Sequence, residues 1–476
     1  MTHSSSRPSS AGSAKTVIAI IGGGVTGAAV AYHLAQHERT PDPDIVIFEP
    51  RERIGKGLAY DTADPVHRIN VPAARMSLLP DDPDHFTRWL EAADILCDDA
   101  EAIRPDGSVF PRRGVFGDYV FSCVRPLLET GRIRHVRSAA STVEKIDGRW
   151  HVVSDNGETV DADILVIATT HPAPAPPRRL ASALAGHPRF VANPTAAVAL
   201  APIRQGDRVL VVGNGLTSAD VIASLKQRGH RGRISAVSRR GLRSRGHAAV
   251  TQEPYGDFLS SPETRAARLV MRIRKAIRDA AKEGLTWHAV LDQVRAQGSG
   301  LWSALSTAER RRIVRHLRPY WDVHRFRIAP QVEEVLDHEI ATGMLEILAG
   351  SIEGAEIVDD VIRIVIRPRG GDGMEQHEFD AVVVTTGPAH SQLLSSQDWL
   401  WRLSEAGHIK IDATGLGLDC DRDALAIGKA GAASQSLFIA GPLARGQFGE
   451  LMGFPQVPEH AKFVATCIEA IIQSSG

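Results

Sequence analysis

Gly22, Gly24 and Gly27 stand at G-x-G-x-x-G spacing, after the apolar run TVIAII (16–21) and before the small-residue run VTGAAVAYHLAQ. In a strand–turn–helix unit the first glycine permits a tight turn. The second lets a pyrophosphate approach the backbone, and the third lets helix and strand pack closely. The helix N-terminus then faces the anion. Glu49 lies 27 positions after Gly22, at the end of the next apolar run, IVIFEP, where a carboxylate can accept hydrogen bonds from an adenosine ribose.

The same pattern returns at Gly213, Gly215 and Ser218, within RVLVVGNGLTSADVIASLKQRG, with a small serine in place of the third glycine. At the end of its second strand the carboxylate is missing, and Ser238, Arg239 and Arg240 stand there instead. A carboxylate would repel a ribose 2′-phosphate, whereas guanidinium and hydroxyl groups can bind it. The second site therefore favours NADPH over NADH. The first, with its carboxylate, suits the ADP part of FAD, and hydride can pass from nicotinamide to flavin.

These loops need strands and helices to position them. Strand-like runs recur at 163–169, 233–238, 362–368, 381–387 and 437–442, and a final helix is expected from about 458 to 472. The alternation predicts an α/β protein, with two Rossmann-like dinucleotide-binding domains and a helical insertion. Residues 15–190 and 375–476 are assigned to a discontinuous FAD-binding domain. Residues 191–374 are assigned to an NADPH-binding domain, with the insertion at about 260–320. Within it, Leu269, Val270, Ile273 and Ile277 fall at helical spacing, as do Val290, Leu291 and Val294. A Pro-rich connector, HPAPAPPRRL, marks a domain junction. The Ser-rich segment 1–14 reads as a disordered leader without the apolar core of a signal peptide.

The chain has 476 residues, 43% hydrophobic and 23% charged, and a formal net charge of −1, so neither nucleic acid nor an anionic membrane is an expected partner. Its four cysteines, Cys97, Cys123, Cys420 and Cys467, form no CxxC pair and no metal-spaced cluster with histidine. No metal site is expected, and a reducing cytoplasm is the natural location. Flavoenzymes that reduce disulfides need two closely spaced redox cysteines, so that class is excluded. No transmembrane segment is expected, because the longest apolar stretch, Val17 to Ala35, is broken by consecutive glycines.

The segments RERIGKGLAYDTADPVHRINVPAARMS, PDDPDHFTRWL, GGGVTG, GNGLTSAD, HRGRISAVSRRG and GPLARGQF together resemble the FAD/NAD(P)-binding protein family that includes FAD-dependent urate hydroxylase. The chain is also similar to asparagine N-monooxygenase over its FAD domain, and more distantly to the ornithine and lysine N-hydroxylases. The resemblance implies that Gly55, Gly57, Tyr60, Asn70 and Met76 lie along the flavin's pyrophosphate, ribityl chain and ring. With Arg51 and Gly441 they complete the set expected to hold FAD. Many FAD domains carry Gly-Asp after the last strand. Here Gly441 is followed by Pro442, which leaves the Gly441 backbone and the following helix N-terminus to face the flavin.

Flavoproteins with two nucleotide sites and no redox disulfide commonly activate oxygen through a C4a-hydroperoxide kept from water. The leading expectation is thus an NADPH-dependent monooxygenase acting on a small nitrogen-rich molecule such as urate, with O2 as co-substrate. Three alternatives stand beside it: an N-hydroxylase of an amino acid or amine, an NADPH:acceptor oxidoreductase or oxidase without oxygen insertion, and a flavin redox sensor. His247, His324 and Arg325 are the catalytic candidates. Arg243, Arg245, Arg327, Arg445 and Gln447 are further groups suited to a small anionic substrate. A homo-oligomeric assembly is left open.

Overall fold

The computed structural model describes residues 15–36, 42–196, 198–387 and 389–475. The leader expected at 1–14 lies outside them.

The first sheet has six strands in the order Leu425–Ile427, Ala433–Ile439, Ile164–Ile167, Val17–Ile21, Asp44–Phe48 and Ile133–Val136. All its pairings are parallel except that between the first two strands. Apolar residues run continuously because both faces are covered. Ile18, Ile20, Ile45 and Ile47 pack with the Val25–Gln36 helix, and the Gln456–Ser475 helix lies against that helix. Ala19, Ile21, Val46 and Phe48 face the other way, onto Trp150 and Val152 of a three-stranded antiparallel sheet covering 140–162. Alternation along each strand thus feeds two layers of core.

The second sheet has seven strands. A parallel part orders Leu345–Val358, Ile234–Ser238, Val209–Val212, Ala381–Val384 and Phe190–Val191, and antiparallel strands Val361–Pro368 and Glu375–Phe379 extend its edge. This moves both expected boundaries: Leu180 and Leu184 already pack in the second sheet's core and Phe190 pairs in it, although the sequence assigns 15–190 to the first unit. Residues 375–384 belong to the second sheet, and Ala381–Val384 is fully buried beside Val209–Val212. The chain returns to the first unit only after Thr385. From sequence, the buried run AVVV resembles the first sheet's ILVI at 164–167, which is why it gave no sign of its sheet.

The inserted helices run from Ala266–Lys282 through Trp287–Ala296, Gly298–Ala304, Thr307–Arg312 and a π-helical turn, Ile313–Leu317, to Arg318–Arg325. The insertion therefore extends past 320. Phe258, Leu269, Val290, Val294 and Leu301 give it a small core of its own. Its outer end clamps the loop at 446–456. Trp302 Nε1 donates to the Gly446 carbonyl at 2.8 Å, Trp321 Nε1 donates to Glu450 Oε2 at 3.3 Å, and Arg295 donates to the Phe454 carbonyl.

Candidate functional site

Both glycine loops open into one continuous cleft of about 2730 Å³ between the two sheets. Gly22, at φ 102°, has no room for a side chain, since a Cβ there would stand 2.8 Å from the Ala168 carbonyl oxygen. Gly213, at φ 126°, stands in the same relation to Thr385, at 2.5 Å. In each unit the first glycine thus lets the loop cross the end of the neighbouring parallel strand. Gly27 packs against the Gly22 carbonyl, and Ser218 is buried in the equivalent place, so both do the packing work of the third position.

On the first side, Gly24 and Gly57 oppose each other with bare backbone. A Cβ on Gly57 would come within 3.0 Å of the Gly24 Cα. Glu49 is buried at the strand end, and its carboxylate accepts from the Gly23 N–H at 3.0 Å, the Arg51 N–H at 3.1 Å and Arg51 Nη1 at 2.9 Å. Both Glu49 and Arg51 border the cleft. A carboxylate accepts about four hydrogen bonds, so Glu49 retains capacity for a ribose hydroxyl. Asn70 and Met76 also border the cleft. Asn70 is held from behind, its Nδ2 donating to the Arg327 carbonyl at 3.3 Å and its own carbonyl meeting His247 Nε2 at 3.2 Å. Bare glycine backbone, a helix N-terminus and the Glu49 carboxylate fit the ADP portion of FAD.

On the second side, Arg239 and Arg240 face the cleft and make no hydrogen bond or ion pair among the described residues. Arg240 lies over the Tyr320 ring, 5.7 Å from its centroid. Ser238 Oγ accepts from Asn214 Nδ2 at 3.1 Å, which ties the glycine loop to the arginine pair. Nothing lies within 4 Å of a Cβ on Gly215, so the loop is open where a pyrophosphate would come. These residues fit NADPH.

Several sequence-based assignments change. Gly55 does not border the cleft, since a Cβ there would stand 2.5 Å from a Val120 methyl, and its glycine is a packing requirement. Gly441 sits one layer behind. Its N–H donates to His460 Nδ1 at 3.2 Å and its Cα faces Thr26, while Pro442 reaches the cleft. His324 does not border the cleft either. Its Nδ1 bonds the Tyr320 carbonyl of its own helix, and its ring stands edge-on to Trp287. His247 is buried behind Asn70, and burial together with Arg327 pushes its pKa down to about 4, so it supports Asn70 as a neutral ring. Arg243 and Arg327 pair with Asp337 and Asp292. Arg245 and Gln447 lie off the cleft.

Arg325 does reach the cleft, and four groups that sequence alone did not single out stand with it: Arg318, Asp322, His171 and His390. In the Arg318–Arg325 helix, Arg318, Asp322 and Arg325 fall at i, i+4 and i+7 on the cleft face, while His324 points elsewhere. Arg318 Nε donates to Asp322 Oδ2 at 3.2 Å, and Arg318 Nη2 donates to His390 Nε2 at 2.9 Å. Arg325 Nε donates to Glu450, whose side chain is 9% exposed, at 2.6 Å. His390 stacks edge-on against His171 at 4.5 Å, so the two segments joining the domains meet here. Burial pushes the pKa of His171 down to about 4. Burial, with His171 and Arg318 adding to it, pushes that of His390 down to about 3.

Residues 19–172 match a family model described as FAD-NAD(P)-binding. No curated protein sequence matches the chain. Among solved structures, the ornithine hydroxylase of Pseudomonas aeruginosa superposes with a TM-score of 0.64 at 16% identity, covering 96% of this chain and 99% of that one. The ornithine N-hydroxylase of Kutzneria sp. 744, in complex with reduced FAD, NADP+ and L-orn, gives 0.60 at 16%, covering 97% and 100%. The FAD-bound cadaverine monooxygenase of Erwinia amylovora gives 0.62 at 12%, covering 96% and 94%. At these identities the likeness is one of fold, and it extends over both nucleotide domains and the insertion.

Proposed function

We propose that the chain is an FAD-dependent, NADPH-using monooxygenase that hydroxylates a nitrogen atom of a small amino acid or amine. The observation that carries this reading is the shared cleft: a carboxylate-ended glycine loop and an arginine-ended one open onto the same space. That arrangement allows a flavin and a nicotinamide to meet. The fold relatives, hydroxylases and monooxygenases of ornithine and cadaverine, favour nitrogen as the oxygenated atom.

Bound FAD would supply the redox chemistry, accepting hydride from NADPH and, once reduced, activating O2. The balanced reaction is R–NH2 + O2 + NADPH + H+ → R–NHOH + H2O + NADP+. Glu49 and the Gly22–Gly27 loop hold the first nucleotide, and Arg239 and Arg240 select the second. Asn70 is held rigidly at the cleft by His247 and the Arg327 backbone. The Arg318–Arg325 helix walls the cleft against water.

The arginine-rich end of the cleft favours a second reading, hydroxylation of urate, which is an anion at neutral pH. Mass spectrometry of turnovers with amino acids, diamines and urate separates the two. The first reading requires a hydroxylamine product carrying one added oxygen on nitrogen. Oxygenated product from urate alone would replace it with the second.

A further inference from the structure

Arg445 is 6% exposed and borders the cleft, and its guanidinium has no hydrogen bond or ion pair among the described residues. A buried guanidinium in that condition is costly, because its lost hydration is returned only by a hydrogen-bonded anion. The charged groups that act on it are Arg318, Glu450, Asp322 and Arg325. Neither carboxylate bonds its guanidinium. Asp322 bonds Arg318 through Oδ2 and keeps a buried, unpartnered Oδ1, and Glu450 bonds Arg325 and lies near Arg295 as well. Arg325 itself has a second free edge, since its buried Nη2 is unpartnered and lies where a Cβ on Gly453 would be 3.3 Å away.

The surroundings agree on the sign of the missing partner. Three guanidiniums, those of Arg318, Arg325 and Arg445, border this end of the cleft against one carboxylate, that of Asp322. The adjacent imidazoles of His171 and His390 are held neutral, first by burial and then by the arginines around them. Burial, with Arg318 beside it, lowers the Arg445 pKa to about 10, so the group still carries its charge at neutral pH.

We propose that Arg445, with the free Nη2 edge of Arg325, forms a carboxylate-binding subsite that requires the substrate to carry an anionic group. In calling this ligand the substrate, the proposal rests on the monooxygenase reading. A planar guanidinium accepts a carboxylate through two parallel N–H···O contacts, which fixes the ligand's direction as well as its charge. Asp322, whose pKa is raised chiefly by burial, lies on the same helix face. A simple diamine would place a cation against the arginines, so it is rejected. Amino acids and other carboxylates are admitted.

Calorimetric titration of the FAD-loaded protein with glutarate, 5-aminopentanoate and 1,5-diaminopentane tests this without requiring turnover. The three probes share a five-carbon length and differ in charge. Glutarate and 5-aminopentanoate are expected to bind, with the diamine at least about tenfold weaker. Arg445→Gln should weaken glutarate about ten- to a hundred-fold, the loss of one charge-assisted contact. Arg445→Lys should recover part of it, while Arg239→Ala/Arg240→Ala should leave glutarate affinity unchanged.

Equal binding of the diamine, or absence of glutarate binding, would overturn the proposal on the unaltered protein, whether or not the variants fold. So would glutarate binding that survives in Arg445→Gln but is lost in the Arg239/Arg240 variant, which would place the anion in the nucleotide site. A lowered flavin reduction potential in Arg445→Gln with glutarate affinity unaltered would also overturn it, assigning Arg445 to the flavin. If carboxylates bind as described but no amine or acid is ever oxygenated, the subsite stands and the monooxygenase reading fails.

Discussion

Arg325 Nε donates to Glu450 Oε1 at 2.6 Å, with both side chains buried, and this contact joins the inserted helices to the loop preceding the last helix. Burial alone would raise the Glu450 pKa, but Arg325 and Arg295 hold it below the ordinary carboxylate range. Breaking a buried pair from one side leaves a charge uncompensated, at about 3–5 kcal/mol. Glu450→Gln should therefore destabilise the protein by about that amount in urea unfolding. The double variant Arg325→Met/Glu450→Met should recover much of the loss. If the single variant is neutral, the pair does not anchor the insertion.

The first nucleotide site is expected to depend on Glu49. Its carboxylate caps the Gly23 N–H and faces the cleft, so Glu49→Arg would put a cation where ribose hydroxyls need an acceptor. Purified Glu49→Arg protein should retain its secondary structure by circular dichroism and carry little flavin by absorbance. Normal flavin content in that folded variant would remove the ribose assignment.

Cofactor choice is expected to lie in Arg239 and Arg240, which are unpaired at the cleft. A charge-assisted contact to a 2′-phosphate contributes roughly 1.5–3 kcal/mol, about ten- to a hundred-fold in affinity. Replacing both with alanine should raise the NADPH Michaelis constant by such a factor and leave NADH nearly unaltered. Equal losses with both nucleotides would mean that the arginines serve the fold or the shared pyrophosphate.

Acid should destabilise the fold well before its carboxylates titrate. His171 and His247 titrate near 4, and His390 and His460 near 3, each mainly because it is buried. The unfolded chain takes up these protons near 6.5, whereas the folded one resists. Stability is therefore full above about 6.5 and declines as pH falls towards 4. The slope is up to about 1.4 kcal/mol per pH unit for each such histidine. Urea midpoints at pH 7, 6 and 5 should decrease in that order, and less steeply in His390→Asn. A flat profile would contradict the burial of these rings.

Much of this was legible in local sequence. Gly22, Gly24, Gly27 and Glu49, and then Gly213, Gly215, Ser218 and Arg240, sit within single strand–loop–helix units, so their spacing is enough to propose their roles and their shared place at the cleft. Other groups depend on contacts that span the chain. Arg325 meets Glu450 across 125 positions, and His171 meets His390 only because two inter-domain segments converge. His324 stands between Trp321 and Phe326 in the chain, a setting that suggests burial near a ligand, yet it lies off the cleft. The i, i+4, i+7 spacing of Arg318, Asp322 and Arg325 was the available signal, and it puts His324 on another face. Gly55 and Gly441 are glycines for packing, which a resemblance cannot separate from glycines that make room for a ligand.

The fate of NADPH electrons in the FAD-loaded protein, followed as NADPH oxidation and peroxide release together, decides whether oxygen is inserted. Amino acids, amines and urate are supplied one at a time. At least one carboxylate-bearing nitrogen compound is expected to accelerate NADPH oxidation while peroxide falls well below the NADPH consumed. NADPH oxidation that no such compound stimulates, or that is matched by peroxide with every one, would contradict oxygen insertion and leave an oxidase.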